Sequence, residues 1–249
     1  MSTSKKIAST IVLTFSLLVL TSTQVAGLTK TKRARRPVKQ SEVREAERRL
    51  EEMRFGTGRA DGANDKRSGL IAFQKWEGLK VTGRLTRADV DAILSATSPQ
   101  PKDPGYKHVE VDLDRQVLLL IDNAGVITRI LPVSTGSGKH YNEKGMKGLA
   151  YTPTGRFRIY GKMSGWRKSP LGLLYYPNYF SDGLAIHGNP SVPHNPQSHG
   201  CIRIPMFAAA EMSKQLPVGT IVLIYDKDSF VSAKDWAEAD KQKQAANVQ

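Results

Sequence analysis

Residues 184–203 read LAIHGNPSVPHNPQSHGCIR. The only cysteine of the chain, Cys201, stands two residues after His199 and fourteen after His187. A cysteine nucleophile reacts as its thiolate, and a neighbouring imidazole takes the proton and lowers the thiol pKa. Three of the five histidines, His187, His194 and His199, fall in this stretch. Between Asn189 and Pro196 lie three prolines, which make a constrained loop. A loop of this length returns the chain and sets His187 beside Cys201. His199 is the alternative base, although an i, i+2 pair need not turn both side chains to one another.

Outward from this stretch the chain reads as strands. Residues 108–113 alternate apolar and polar, 117–121 are a continuous apolar run, 122–125 are a turn, and 126–133 are β-rich. These form an antiparallel meander. Residues 136–148 are Gly-rich and polar and read as a loop. Residues 155–160 and 218–225 read as strands, and 184–186 as a short apolar segment ending at His187. Residues 206–216 have helical character, with Pro205 at the first turn. Residues 161–180 place Trp166, Tyr175, Tyr176 and Tyr179 among Gly and Pro, a pattern that suits either a loop covering a cleft or its anchoring in a core. From 227 to 249 the chain is polar, a marginal helix or a disordered tail.

The part before residue 98 is different. Val43, Ala46, Leu50 and Met53 recur at helical spacing from Ser41. A second periodic stretch covers residues 68–76 and a third 86–94, where Thr86 is the cap and Asp89 completes a near capping box. Glycines at 56, 58, 62, 78 and 83 punctuate them. Residues 98–105, SPQPKDPG, are an extended linker and the domain boundary.

The chain has 249 residues and a formal net charge of +14, with 37 Lys+Arg against 23 Asp+Glu. Residues 1–40 hold eight basic and no acidic residues, more than half of that excess. Lys5 and Lys6, an apolar run over 7–20 and small residues at 25–27 have the order of a secretory signal peptide, cleaved after Gly27. Residues 28–40 follow as a basic linker that repels itself, a pattern that suits a solvated spacer, adhesion to anionic envelope polymer or lipid, or both. With that block set aside the folded parts are only mildly basic, so a nucleic-acid partner is not expected. One cysteine excludes an internal disulfide framework and a Cys-cluster zinc site. In an exported chain, a free thiol is either buried and inert or retained for its chemistry.

His187-Gly188 followed by Ser198-His199-Gly200-Cys201-Ile202-Arg203 resembles the signature of the YkuD-type L,D-transpeptidases. Thr152-Pro153-Thr154-Gly155-Arg156-Phe157, Ser169-Pro170-Leu171-Gly172 and Tyr179-Phe180 extend the likeness over residues 107–226. Ala72-Phe73-Gln74 and Val81-Thr82-Gly83-Arg84-Leu85, with Asp61-Gly62, resemble the peptidoglycan-binding-like module of cell-wall enzymes over residues 41–97. The resemblance implies a mainly β catalytic domain, a YkuD-like β-sandwich with one substantial helix, preceded by a small three-helix module.

The resemblance also implies roles. Cys201 is the nucleophile and His187 the general base and acid. Gly188 supplies a carbonyl that fixes the imidazole, and Ser198 orients the loop. The N–H groups of His199, Gly200 and Cys201 form an oxyanion hole. Arg203 and Tyr179 bind substrate, and residues 161–180 form a flap. No metal or cofactor is required. The partners are peptidoglycan stem peptides, as tetrapeptide donor and amine acceptor, with carbapenem β-lactams as inhibitors. The place of action is the periplasm or cell wall. The other readings are an L,D-carboxypeptidase, another exported Cys–His peptidase, or a non-catalytic wall-binding protein. A sortase-like pattern has Thr immediately before the Cys, where Gly200 stands here.

Overall fold

The computed structural model describes residues 36–56 and 62–246. The expected signal peptide and most of the expected basic linker therefore lie outside the described residues, as does Asp61. Among the described residues no helix is long and apolar enough to cross a membrane.

The described residues begin with three helices, α1 (Gln40–Glu52), α2 (Gly62–Trp76) and α3 (Arg87–Ser95). The Glu42 carboxylate accepts the Lys39 N–H at 2.9 Å and so closes the first turn of α1. Thr86 caps α3. Its N–H donates to Asp89 Oδ2 at 2.8 Å, and its Oγ1 accepts the Asp89 N–H at 3.3 Å. Helix α2 starts six residues before the apolar periodicity. That first turn and a half is polar because its partner is polar: buried Asp65 accepts from Arg129 at 2.7 Å. Removing one member of such a buried pair costs about 3–5 kcal/mol.

Twelve strands follow: β1 (His108–Asp112), β2 (Val117–Ile121), β3 (Ile127–Pro132), β4 (His140–Glu143), β5 (Met146–Leu149), β6 (Gly155–Arg158), β7 (Gly161–Lys162), β8 (Trp166–Ser169), β9 (Gly172–Ser181), β10 (Leu184–Asn189), β11 (Ile202–Pro205) and β12 (Ile221–Tyr225). Helix α4 (Met206–Gln215) lies between β11 and β12, and α5 (Ala233–Ala246) ends the described chain. One sheet has the order β3-β2-β1-β12-β6 and the other β11-β10-β9-β7, with β8 also pairing β9. The meander β1-β2-β3 is antiparallel as its turns imply, while β12 joins β1 in parallel.

Two differences from the sequence reading concern the site. Residues 136–148 are not all loop, because β4 and β5 form a hairpin that pairs only with itself. Its tip, Lys144 at φ 52° and Gly145 at φ 75°, has the two left-handed residues of a tight hairpin turn. Residues 161–180 are strands rather than irregular loop, carrying β7, β8 and most of β9. The tail forms α5.

Strand β2, VLLLI, is buried at all five positions. Leu118 and Leu120 point into the sandwich core with Val109, Val111, Ile186, Ile202 and Met212. Val117, Leu119 and Ile121 point the other way, onto Ala46, Leu50, Phe55 and Phe73 of the helical module. The module is therefore a third layer on the sandwich and shares a core with it. Burying each such aliphatic side chain is worth about 1.5–3 kcal/mol.

Candidate active site

Strands β10 and β11 run parallel, with Ile186 opposite Ile202 and His187 opposite Arg203. Cys201, the residue before β11, is thereby carried to the strand that holds His187. The β9–β10 register is irregular between Ile186 and Gly188. A break of this kind at His187 re-aims a side chain that regular pleating would place elsewhere. Gly188 packs against α4. A Cβ there would lie 2.7 Å from Ala209 Cβ, so only glycine lets the helix approach.

His187 is 2% exposed, and its Nδ1 lies 2.9 Å from the Gly188 carbonyl oxygen. A carbonyl only accepts, so Nδ1 carries the proton and Nε2 is left as the base. Burial pushes the His187 pKa down to about 4. The Gly188 carbonyl opposes this, and the positive charge of Arg203 adds to it. Burial pushes the Cys201 thiol up, against the Ala185 N–H and Arg203, which favour the thiolate. Both shifts favour a neutral thiol and a neutral imidazole before substrate enters.

The turn before the cysteine is tied by Ser198, which is itself buried. Ser198 Oγ donates to the Cys201 carbonyl at 2.5 Å and accepts the Gly200 N–H at 3.0 Å. The Gly200 N–H is thus engaged and drops out of the expected oxyanion set, which leaves the His199 and Cys201 N–H groups as candidate donors. Thr152 Oγ1 donates to the Gly200 carbonyl at 2.7 Å and accepts the Gly136 N–H at 2.8 Å. Sequence reasoning quoted Thr152 but assigned it no role. Gly200 sits at φ +135°, and a Cβ there would meet the Tyr151 carbonyl oxygen at 2.7 Å. Gly200→Ala is expected to destabilise the fold by about 3 kcal/mol, seen as a lowered thermal midpoint. An unchanged midpoint would mean that the turn yields.

His199 is engaged by a different element of the cleft wall. Its Nε2 contacts the Glu143 carboxylate, and its ring meets Tyr141 edge-on at 4.8 Å between centroids. Both partners belong to the β4–β5 hairpin, so His199 ties that hairpin to the turn before Cys201. His194 is exposed on the proline-rich loop.

A cleft of about 440 Å³ gathers His187, Cys201, Arg203, Ser198, His199 and Tyr179. Its walls are the β8–β9 hairpin and, through Tyr141 and Met146, the β4–β5 hairpin. Trp166, Tyr175 and Tyr176 are not in the cleft lining. Tyr175 meets Trp166 at a tilt and Tyr176 edge-on, with centroids 4.9 and 4.7 Å apart. The half-buried Arg203 guanidinium makes no side-chain hydrogen bond or ion pair among the described residues. Its backbone pairs with Ser134 at 3.0 and 3.1 Å. An unpaired guanidinium in a cleft suits a carboxylate ligand. Among the described residues no group of three or more His, Cys, Asp or Glu is placed to hold a metal.

The family model of the L,D-transpeptidase catalytic domain, YkuD, matches residues 106–224. The crystal structure of the L,D-transpeptidase (residues 123–326) from Xylanimonas cellulosilytica DSM 15894 is 34% identical, with a TM-score of 0.64 over 72% of this chain and 90% of that one. The chain belongs to the L,D-transpeptidase family. The L,D-transpeptidase from Stackebrandtia nassauensis is 24% identical, covering 72% of this chain and 88% of that one at a TM-score of 0.44. A peptidoglycan-binding-domain family model, PG_binding_1, matches residues 39–93. No curated protein matches the chain. In this L,D-transpeptidase-family chain the motif residues meet in one cleft, and the helical layer coincides with the second family match.

Proposed function

We propose that the protein is an exported cysteine L,D-transpeptidase that cross-links peptidoglycan stem peptides through a thioester. The observation that carries this reading is the convergence of Cys201, the carbonyl-locked His187 and the unpaired Arg203 in one cleft. Arg203 and Tyr179 hold the donor tetrapeptide, with Arg203 on its terminal carboxylate. Cys201 Sγ attacks the carbonyl at the L-centre of the diamino acid, and the thiol proton passes to His187 Nε2. The His199 and Cys201 N–H groups face the oxyanion. The C–N bond then breaks, and the terminal D-Ala leaves as an amine with the proton from His187. An acceptor amine attacks the thioester, gives its proton to His187, and expels the thiolate, which is reprotonated. Ser198, Gly188 and Gly200 hold this geometry without reacting. Water in place of the amine makes the enzyme an L,D-carboxypeptidase. Carbapenems acylate the same thiol by opening their strained ring.

The test is mass analysis of products from purified muropeptides. A cross-linked dimer with loss of one D-Ala supports transpeptidation, trimmed monomer alone supports the carboxypeptidase, and unchanged substrate rejects both.

The acid limb of the acylation rate follows His187, because only the neutral imidazole accepts the thiol proton. With its pKa pushed down to about 4, the rate is expected to stay level from pH 8 down to about 5 and to fall as pH drops through about 4. A fall already centred on pH 6.5, the ordinary histidine value, overturns the buried-base assignment.

A further inference from the structure

We infer that Lys75, on helix α2 of the helical layer, is a positioning residue for the catalytic turn. The inference rests on the proposed reading of Cys201 as nucleophile. Lys75 is only 6% exposed, and its Nζ donates to the backbone carbonyls of Val133 at 2.7 Å and Gln116 at 3.3 Å. Neither acceptor belongs to the helical layer. Val133 is the residue at which the chain leaves β3, and Gln116 is the last residue of the β1–β2 turn, held at φ 55°. The Val133 N–H also donates to the Gln116 carbonyl at 2.9 Å, so one ammonium clamps both chain ends of that junction.

From this clamp a continuous set of hydrogen bonds runs to the cysteine. The Gln116 side chain accepts the Thr135 N–H at 3.0 Å and donates to Thr135 Oγ1 at 2.7 Å. The Thr135 carbonyl accepts the Ser198 N–H at 2.8 Å. Ser198 Oγ donates to the Cys201 carbonyl at 2.5 Å. In parallel, Ser134 exchanges two backbone bonds with Arg203, and its Oγ donates to the Asn195 carbonyl at 2.8 Å. Gln116, Ser134, Thr135 and Ser198 are all buried. Residues 133–136 thus lie between Lys75 and Gln116 on one side and the catalytic turn on the other.

A buried lysine without a carboxylate is costly, and burial alone pulls its pKa down to about 8. A methionine would fill the same volume without that cost. What the lysine adds is donors aimed at two carbonyls that the strand ladder leaves behind. Reacting geometry tolerates little error: a shift of about 1 Å can cost on the order of a hundredfold in rate.

The experiment is acylation of the full chain by imipenem, followed by intact mass, at temperatures well below the thermal midpoint. Lys75→Met is expected to lower the limiting acylation rate about tenfold, with the half-saturating imipenem concentration unchanged. Combined with Ser198→Ala it is expected to add nothing to the loss from Ser198→Ala alone, because both cut one chain of bonds. If Lys75→Met does not fold, Gln116→Met removes both side-chain bonds to Thr135 and so breaks the same chain midway, and the same rate loss and non-additivity with Ser198→Ala are expected. A lowered midpoint with the wild-type acylation rate, or losses that simply add, would show a purely structural lysine and overturn the inference. Failure of the wild-type chain to acylate overturns the proposed function instead, and this inference with it.

Discussion

Cys201→Ala leaves no covalent adduct with a carbapenem and no cross-linked product from muropeptides. Cys201 is the only cysteine in the chain, so no second thiol can take over. Its backbone is held by neighbours that do not need the sulfur, namely Ser198 Oγ on its carbonyl and the β10–β11 ladder just beyond. The variant is therefore expected to fold with a nearly unchanged thermal midpoint while the reaction rate falls by on the order of 10⁴ or more, as for loss of other covalent nucleophiles. If the purified Ala variant still releases D-Ala or forms dimer, the nucleophile is elsewhere.

The second large effect is at His187. Replacing it with Gln, which conserves polar bulk in a buried site, removes the free ring nitrogen that accepts the thiol proton. Acylation is expected to slow about a thousandfold, within the usual range for a general base. The comparison with the other two histidines is what makes the result specific. His194 is exposed on the loop, and His194→Gln is expected to leave acylation within a factor of about two, the range expected of a site outside the machinery. His199→Gln breaks the contact with Glu143 and is expected to fall between them. A reversed order, with His194 or His199 dominant in burst acylation experiments, reassigns the base.

What was legible depended on the range of the interaction that left the trace. Thr86 and Asp89 form the cap that their three-residue spacing implied, because both partners lie in one helical turn. The apolar run of β2 was visible as a strand, and its lack of alternation reflected burial on both faces. The hairpin of β4 and β5 was not visible. Its strands are short and polar, and its turn residues, Lys144 and Gly145, sit in a Gly-rich background that reads as loop. The first turns of α2 were missed for a related reason. Hydrophobic periodicity does not register a helix face whose contact is Asp65 with Arg129. The aromatic residues 166, 175 and 176 suited either cover or anchor. Tyr175 and Tyr176 pack against the sandwich core, which supports anchoring for those two, Trp166 stays half exposed, and Tyr179 alone of the four reaches the cleft.

The sequence by itself determined the family pattern, the β-rich class of residues 107–226, the three helices before it and the residues proposed to react. Those properties are written in local periodicity and in a motif of twenty residues. Only the tertiary structure decided which ring nitrogen of His187 is free, where His199 points, which hairpins wall the cleft, and that the helices share a core with the sandwich. Each of these depends on a contact between residues far apart in the chain, such as Glu143 with His199 or Lys75 with Val133. Such contacts form from whichever donors and acceptors the packing leaves unpaired. That is a property of the assembled layers, and no spacing along the chain encodes it.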